Sequence, residues 1–246
     1  MWDNHRLLRG IANLLLLASV LTLLVAGAQW VVRTGMMPIR TVHIRSKLTH
    51  VSQEQLRYVA EHELKGSFLT VNLSDTREAF EKLPWVRKVA VRRNWPDRLE
   101  IDVEEHQATA RWAENGLVNS YGEWFDAAFG QPLPLLKGPK GSEAEMLAAY
   151  LAFKQVLQPV GVLPNELALS ARRAWQVTLD NGVILELGRQ DIGLRINRFA
   201  TSWREQLSRL PYRIDYVDLR YPNGFAVRMP DYKPGKGVPV PVRPAA

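Results

Sequence analysis

The stretch LPWVRKVAVRRNWPDRLEIDVEE, residues 83–105, gives the most specific structural signal in the chain. Apolar and charged residues alternate in its two halves, which is typical of half-buried β-strands. Between the halves, Asn94-Trp95-Pro96-Asp97 supplies turn residues. We therefore predict a β-hairpin. Its predicted register sets three pairs opposite each other: Val91 with Ile101, Arg92 with Glu100, and Lys88 with Glu104.

The residues before the hairpin predict one strand and two helices. Residues 39–46 alternate as a strand does, and Ser52 forms a capping box with Gln55 at the start of a helix. We expect Ser74 or Asp75 to cap a second, shorter helix. The order strand–helix–helix–strand–strand predicts a small α+β domain over residues 38–106.

Residues 11–32 contain no charged side chain. At about 1.5 Å per residue, this segment is long enough to cross a hydrocarbon core of about 30 Å. A cleaved signal peptide is the alternative, because Ala26-Gly27-Ala28 has the form of a cleavage site. We expect an uncleaved transmembrane helix, since the apolar stretch continues to Val32. Residues 1–10 are then a short cytoplasmic N-terminus, and the rest lies outside.

A second domain is predicted over residues 107–230. Its clearest hairpin turns at Asn181-Gly182, and a helix is expected to open at a capping box formed by Ser142 and Glu145. Residues 132–141 are interpreted as a connector because they are rich in proline and glycine. An amphipathic helix within residues 191–211 follows the hairpin.

The second domain is expected to close with strands at 213–220 and 224–229, around a Pro222-Asn223-Gly224 turn. The predicted fold class is therefore α+β: one transmembrane helix, the small β-α-α-β-β domain, and a mainly antiparallel β domain with helices packed on it. Residues 231–246 are rich in proline and are predicted to form a disordered tail.

The composition offers little for catalysis. The net charge is +7, but basic and acidic residues are interleaved, which favours anionic lipid or acidic partners over nucleic acid. The absence of cysteine excludes disulfides and cysteine-ligated metals. The five histidines lack metal-ligand spacing, and no phosphate-binding loop occurs in a suitable context. We therefore predict an interaction protein without enzymatic activity, cofactor, metal or small-molecule substrate.

Several motifs together resemble the FtsQ/DivIB family of bacterial cell-division proteins. In the hairpin these are Trp85, Val91-Arg92-Arg93 and Trp95-Pro96; near the C-terminus they are Asp218-Leu219-Arg220-Tyr221, Gly224 and Ala226-Val227. The resemblance implies that residues 38–106 form a POTRA domain and residues 107–230 the family's β domain. One departure is Arg228-Met229, where the family often has Gly-Trp.

The resemblance also implies a function. The protein would be a single-pass inner-membrane scaffold of the divisome at the septum, with periplasmic domains, linking early division proteins to septal cell-wall synthesis. It would bind the periplasmic parts of FtsB and FtsL. The expected contact residues are Arg220, Tyr221, Asn223, Gly224, Phe225 and Ala226, with Arg172 and Arg173 as a second patch.

Three alternatives stay open from the sequence. The chain could be a POTRA-containing component of outer-membrane assembly or secretion, although no room remains for the strands of a barrel. It could be a cell-wall enzyme with an unrecognised carboxylate site. It could also be a secreted binding protein released after Ala28.

Overall fold

The computed structural model describes residues 5–33, 38–46, 48–113 and 115–233. The described chain divides between His106 and Gln107 into two compact units. The Pro-rich tail predicted for 231–246 lies outside the described residues from position 234 onward.

The first unit begins with helix α1, His5–Arg33. Its segment Arg9–Trp30 spans 22 residues with a mean hydropathy of 2.3, and none of it is buried by the rest of the protein. Length and composition therefore suit a membrane-crossing helix. The helix continues without a break through Ala26-Gly27-Ala28.

The remainder of the first unit follows the predicted order. Its elements are β1 (Thr41–Ile44), α2 (Gln53–Glu63), α3 (Leu73–Glu81), β2 (Val86–Asn94) and β3 (Arg98–Glu105). The strand order is β1-β3-β2, with β1 parallel and β2 antiparallel to β3. Leu56 of α2 and Phe80 of α3 are fully buried in its core. This is the predicted β-α-α-β-β arrangement.

The hairpin register is confirmed at all three predicted pairs, which are Val91–Ile101, Arg92–Glu100 and Lys88–Glu104. The turn between the strands contains a cis peptide bond, Trp95–Pro96. The α2 capping box is also confirmed, with Ser52 and Gln55 each accepting a hydrogen bond from the other's backbone N–H.

The predicted cap of α3 is wrong. Asn72 is the N-cap, and its side chain accepts a hydrogen bond from Ser74 N–H at 3.0 Å. Glu105 connects the end of β3 to the turn before α2. Its carboxylate accepts hydrogen bonds from the backbone N–H groups of residues 49, 50 and 51 at 2.8–3.0 Å, so it fixes the turn before α2.

The second unit is built on a nine-stranded mixed sheet in the order β12-β11-β10-β9-β8-β7-β4-β5-β6. In chain order its elements are β4 (Ala108–Trp112), β5 (Leu117–Asn119), β6 (Trp124–Phe125), β7 (Leu135–Lys137), α4 (Glu143–Leu157), β8 (Pro164–Leu169), β9 (Trp175–Leu179), β10 (Ile184–Gly188), α5 (Ile192–Glu205), β11 (Tyr216–Asp218) and β12 (Ala226–Arg228). Short 3₁₀ turns at Gln158–Val160 and Leu207–Arg209 follow the helices.

The sheet is mainly antiparallel, as predicted. The parallel pairs within it are β4–β7, β7–β8 and β10–β11. Helix α4 packs on β7 and β8, α5 packs on β10, and the two helices contact each other. Both helices therefore cover the same face, over a core that includes Phe153, Trp175 and Phe199.

Two expectations for this unit are wrong. The segment 132–141, interpreted as a connector, contains β7, a strand inside the sheet with Leu136 fully buried. Pro134 is tolerated because it precedes the strand, where its missing N–H is not needed. At α4, Ser142 makes no side-chain cap; its hydroxyl donates to Pro139 O at 2.6 Å instead.

Candidate partner-binding edge

Strand β12 is the terminal strand of the nine-stranded sheet. Within the described residues it pairs with β11 alone, with Asp218 opposite Ala226, Val217 opposite Val227 and Tyr216 opposite Arg228. Its outer side is therefore a row of backbone groups that another strand could pair with.

The direction of the backbone groups in β12 follows from one hydrogen bond. Arg228 O accepts from Asp215 N–H at 3.1 Å, so the backbone of Arg228 is directed toward β11. Residues along a strand alternate in this direction. Ala226 consequently also bonds toward β11, whereas the N–H and C=O of Val227 point away from the sheet.

The loop between β11 and β12 supplies the shape beside this edge. Residues Tyr221 to Ala226 line a shallow depression of about 390 Å³. Tyr221 is 55% exposed, while Gly224 and Phe225 are half-buried. The depression therefore offers exposed backbone and an aromatic side chain, a residue type that is enriched at protein contacts.

Two arginines of α5 hold this loop. Arg198 donates from Nη1 to the carbonyl oxygens of Tyr221 at 2.9 Å and Gly224 at 3.0 Å. Arg195 donates to Leu187 O and, at 3.3 Å, to Arg220 O. The positions are three apart, so both side chains lie on one face of the helix. We call Arg195 and Arg198 the arginine clamp.

Gly188, the last residue of β10, makes room for this arrangement. A Cβ atom at this position would lie 2.9 Å from Arg195 Nη1 and 3.1 Å from Arg220 Cγ, and the glycine has a φ of +71°. A larger residue would therefore meet both steric overlap and backbone strain.

Arg220 is engaged within the protein. Its guanidinium donates to both carboxylate oxygens of Asp218, at 2.9 and 2.7 Å, and its backbone N–H donates to the same carboxylate at 3.0 Å. The hydrogen bond from the Arg220 side chain holds the pKa of Asp218 below its usual value, while burial acts in the opposite direction. We predicted Arg220 as a partner-contact residue; in this structure its guanidinium is held by the Asp218 carboxylate.

The second predicted patch lies at the same end of the sheet. Arg172 and Arg173 are in the β8–β9 turn, and Trp175 at the start of β9 pairs with Gly188 at the end of β10. The β11–β12 loop begins at that end too, because β11 is parallel to β10. With neighbouring strands about 4.8 Å apart, the two loops are separated by about 14 Å across the sheet.

The two arginines of this patch differ in environment. Both are exposed, but Arg173 has a positive φ of 65° and pairs with Glu145 of α4. The fold thus places all eight predicted contact residues at one end of the sheet, although it does not join the two patches into one surface.

The described part of the chain contains no group of three His, Cys, Asp or Glu side chains that could hold a metal ion.

The residues of this site that the sequence analysis did not single out are those of the arginine clamp. Their only signal is an i, i+3 pair of arginines on the polar side of an amphipathic helix, which most often means a solvated face.

Comparison with known proteins identifies the family. Residues 37–106 match the family described as POTRA domain, FtsQ-type, and residues 110–220 match Cell division protein FtsQ/DivIB, C-terminal. The cell division protein FtsQ of Nitrosospira multiformis is 42% identical over 233 residues, covering 93% of this chain and 99% of that protein.

Two further relatives agree. The FtsQ proteins of Burkholderia pseudomallei and Neisseria gonorrhoeae are 38% and 34% identical, covering 93% and 96% of this chain and 94% and 98% of theirs. The predicted resemblance to the FtsQ/DivIB family is therefore confirmed. This is a family of division scaffold proteins and is not a known enzyme family. This chain belongs to the FtsQ/DivIB family of bacterial cell division proteins.

Proposed function

We propose that this protein is a non-enzymatic, single-pass scaffold of the divisome that binds FtsB and FtsL through β12 and the β11–β12 loop. It would link early division proteins to septal cell-wall synthesis. The observation that carries the proposal is the terminal strand β12, whose Val227 amide points outward beside the loop held by the arginine clamp.

The proposed contact is the addition of a partner strand to β12. The outward N–H and C=O of Val227 would pair with a backbone segment of FtsB, which extends the sheet by one strand. Tyr221 and Phe225 would then contact the partner's side chains, and Gly224 would allow close backbone approach. Arg172 and Arg173 would contact a second segment at the same end of the sheet.

We place α1 in the inner membrane, with residues 1–10 in the cytoplasm and the folded domains, within our predicted limits of 38–106 and 107–230, in the periplasm at the septum. The exposure of the whole apolar segment Arg9–Trp30 supports this placement, because such a surface is costly in water. N-terminal sequencing of the mature protein should return the start of the chain. A start at Gln29 would support the released form.

The test of partner binding uses the full chain in lipid nanodiscs and the periplasmic parts of FtsB and FtsL. Val227→Pro removes the outward N–H donor without removing a bond to β11. We expect it to weaken binding at least about tenfold, the equivalent of about 1.4 kcal/mol. Val227→Thr keeps the donor and the β-branched shape, so its affinity should stay close to that of the parent protein.

Thermal unfolding of both variants supplies the control for folding. Equal affinities of Val227→Pro and Val227→Thr, with unchanged unfolding midpoints, would contradict strand addition at β12. Failure of the unmodified protein to bind FtsB and FtsL would refute the proposed partners.

A further inference from the structure

The tip of the β2–β3 hairpin carries an unusually exposed aromatic residue. Trp95 is 78% exposed, more than any other large hydrophobic side chain in the described residues, including the leucines of α1. Leu69 is 47% exposed. It lies in the turn where Arg93 donates hydrogen bonds to the carbonyl oxygens of Phe68 and Val71. The end of the domain that includes the tip therefore presents two apolar side chains that nothing in the described chain covers.

The tip is also where the chain enters the folded domain from the membrane helix. Arg40 N–H donates to Asp97 O at 3.0 Å, and Thr41 at the start of β1 is paired with Arg98. Helix α1 ends at Arg33. The seven residues 34–40 can span at most about 25 Å when fully extended. The tip is thus the end of the domain that is tethered closest to the bilayer surface.

The charge of the tip is positive. Arg40, Arg92, Arg93 and Arg98 surround it, and Asp97 is the one acidic residue between Asn94 and Arg98. Asp97 lies 3.7 Å from the Arg40 guanidinium and 3.9 Å from that of Arg98, so a single carboxylate is shared between two cations. Glu100 lies opposite Arg92 in the hairpin, accepts a hydrogen bond from Asn94 at 2.8 Å and is paired with Arg45 at 2.9 Å. With Arg45 and Glu100 included, five arginines against two carboxylates leave a net charge of +3.

We propose that this tip, formed by Trp95 with Arg92 and Arg98, binds the anionic phospholipid headgroups of the membrane that holds α1. An indole favours the boundary between hydrocarbon and headgroups, and arginines are attracted to lipid phosphates. The contact would fix the orientation of the first domain on the bilayer. The inference rests on the proposed membrane placement of α1.

The experiment uses the full chain in nanodiscs of phosphatidylcholine and phosphatidylglycerol, with bromine on the lipid chains near the headgroups as a fluorescence quencher. The protein has eight tryptophans, so each is assessed by the loss of quenching in a Trp→Phe variant. Trp95→Phe tests the tip. Trp30→Phe tests α1, and Trp124→Phe is a control for a half-exposed tryptophan of the second unit.

The measured quantity is the part of the tryptophan fluorescence that the brominated lipid quenches. We expect Trp95→Phe and Trp30→Phe each to reduce this part by an amount of the order of one tryptophan in eight, and Trp124→Phe to leave it unchanged. Phosphatidylcholine alone should abolish the Trp95 share and leave that of Trp30. Combined Arg92→Gln and Arg98→Gln should reduce quenching of Trp95. Lys88→Gln is the matched control, because Lys88 lies on the same face of β2 about 13 Å farther from the tip.

The outcomes separate the two proposals. Quenching of Trp30 without quenching of Trp95 overturns the lipid contact and leaves the anchor in place. Absence of quenching at Trp30 overturns the anchor itself. Shielding of Trp95 from an aqueous quencher only after FtsB and FtsL are added would assign the tip to a protein partner and would also overturn the proposal.

Discussion

Replacement of Arg198 by alanine tests whether the arginine clamp shapes the binding loop. The side chain makes two charge-assisted hydrogen bonds, an exposed one to Tyr221 O at 2.9 Å and a half-buried one to Gly224 O at 3.0 Å. Hydrogen bonds to charged groups contribute about 1.5–3 kcal/mol when buried, and less where water can replace them. We therefore expect Arg198→Ala to cost about 2 kcal/mol in total.

The loss should be visible locally and in binding. A change of about 2 kcal/mol raises the population of the open loop about thirtyfold. Hydrogen exchange of the Ala226 amide, which bonds toward β11, should accelerate by up to that factor. The affinity for FtsB and FtsL should fall by a smaller factor, because it depends on the fraction of the loop that remains ordered rather than on the population of the open loop. The thermal midpoint should fall by about 6 °C.

Two variants sharpen the test. Arg198→Lys keeps the charge but can reach only one carbonyl with good geometry, so its effects should be intermediate. Arg204→Ala removes an exposed arginine from the last turn of the same helix and should cost less than about 0.5 kcal/mol. The role of the clamp would be refuted if Arg198→Ala and Arg204→Ala showed the same exchange rate of the Ala226 amide and the same affinity for FtsB and FtsL.

Three further predictions concern stability, each measured by thermal or denaturant unfolding. Asn72→Ala should cost about 1 kcal/mol by removing the α3 cap, whereas Ser74→Ala should be nearly neutral because its side chain does not cap. Leu136→Ala should cost about 2–5 kcal/mol, since this side chain is fully buried in the sheet. Asp218 has a folded-state pKa below the unfolded value of about 3.9, so its contribution is complete above that pH and disappears as the pH falls through the folded-state pKa. Asp218→Asn should therefore destabilise the protein by about 1 kcal/mol at pH 7 and reduce its loss of stability below pH 4.

The first domain could be predicted almost completely because its decisive signals are local. The hairpin register follows from a period-two pattern and a short turn, and all three predicted pairs occur. The ion pairs are different, however. Glu100 faces Arg92 in the register but binds Arg45, which directly follows β1, at 2.9 Å. Strand β3 is central, and a parallel neighbour that is distant in sequence cannot be seen in the hairpin pattern alone.

The same limit explains β7 and the arginine clamp. Strand β7 has three residues between proline and glycine, too few to show a period. Its partners β4 and β8 are both parallel to it and more than twenty residues away in sequence. Arg195 and Arg198 act on a loop more than twenty residues away in sequence. What a polar helix face binds depends on which loop the sheet topology brings beneath it.

The resulting edge differs in chemistry from the one that the sequence suggested. Arg220 is held by Asp218, and the arginine clamp is occupied by backbone carbonyls, so these cations are engaged within the domain. The groups left for a partner are the outward amide of Val227 and the surface of Tyr221 and Phe225. We therefore expect the proposed contact to favour an extended backbone with apolar side chains over an acidic segment, because backbone pairing would supply affinity and the aromatic depression specificity. The charged residues Arg195, Arg198 and Arg220 would act indirectly, by holding the β11–β12 loop in a conformation that allows a partner strand to pair with β12.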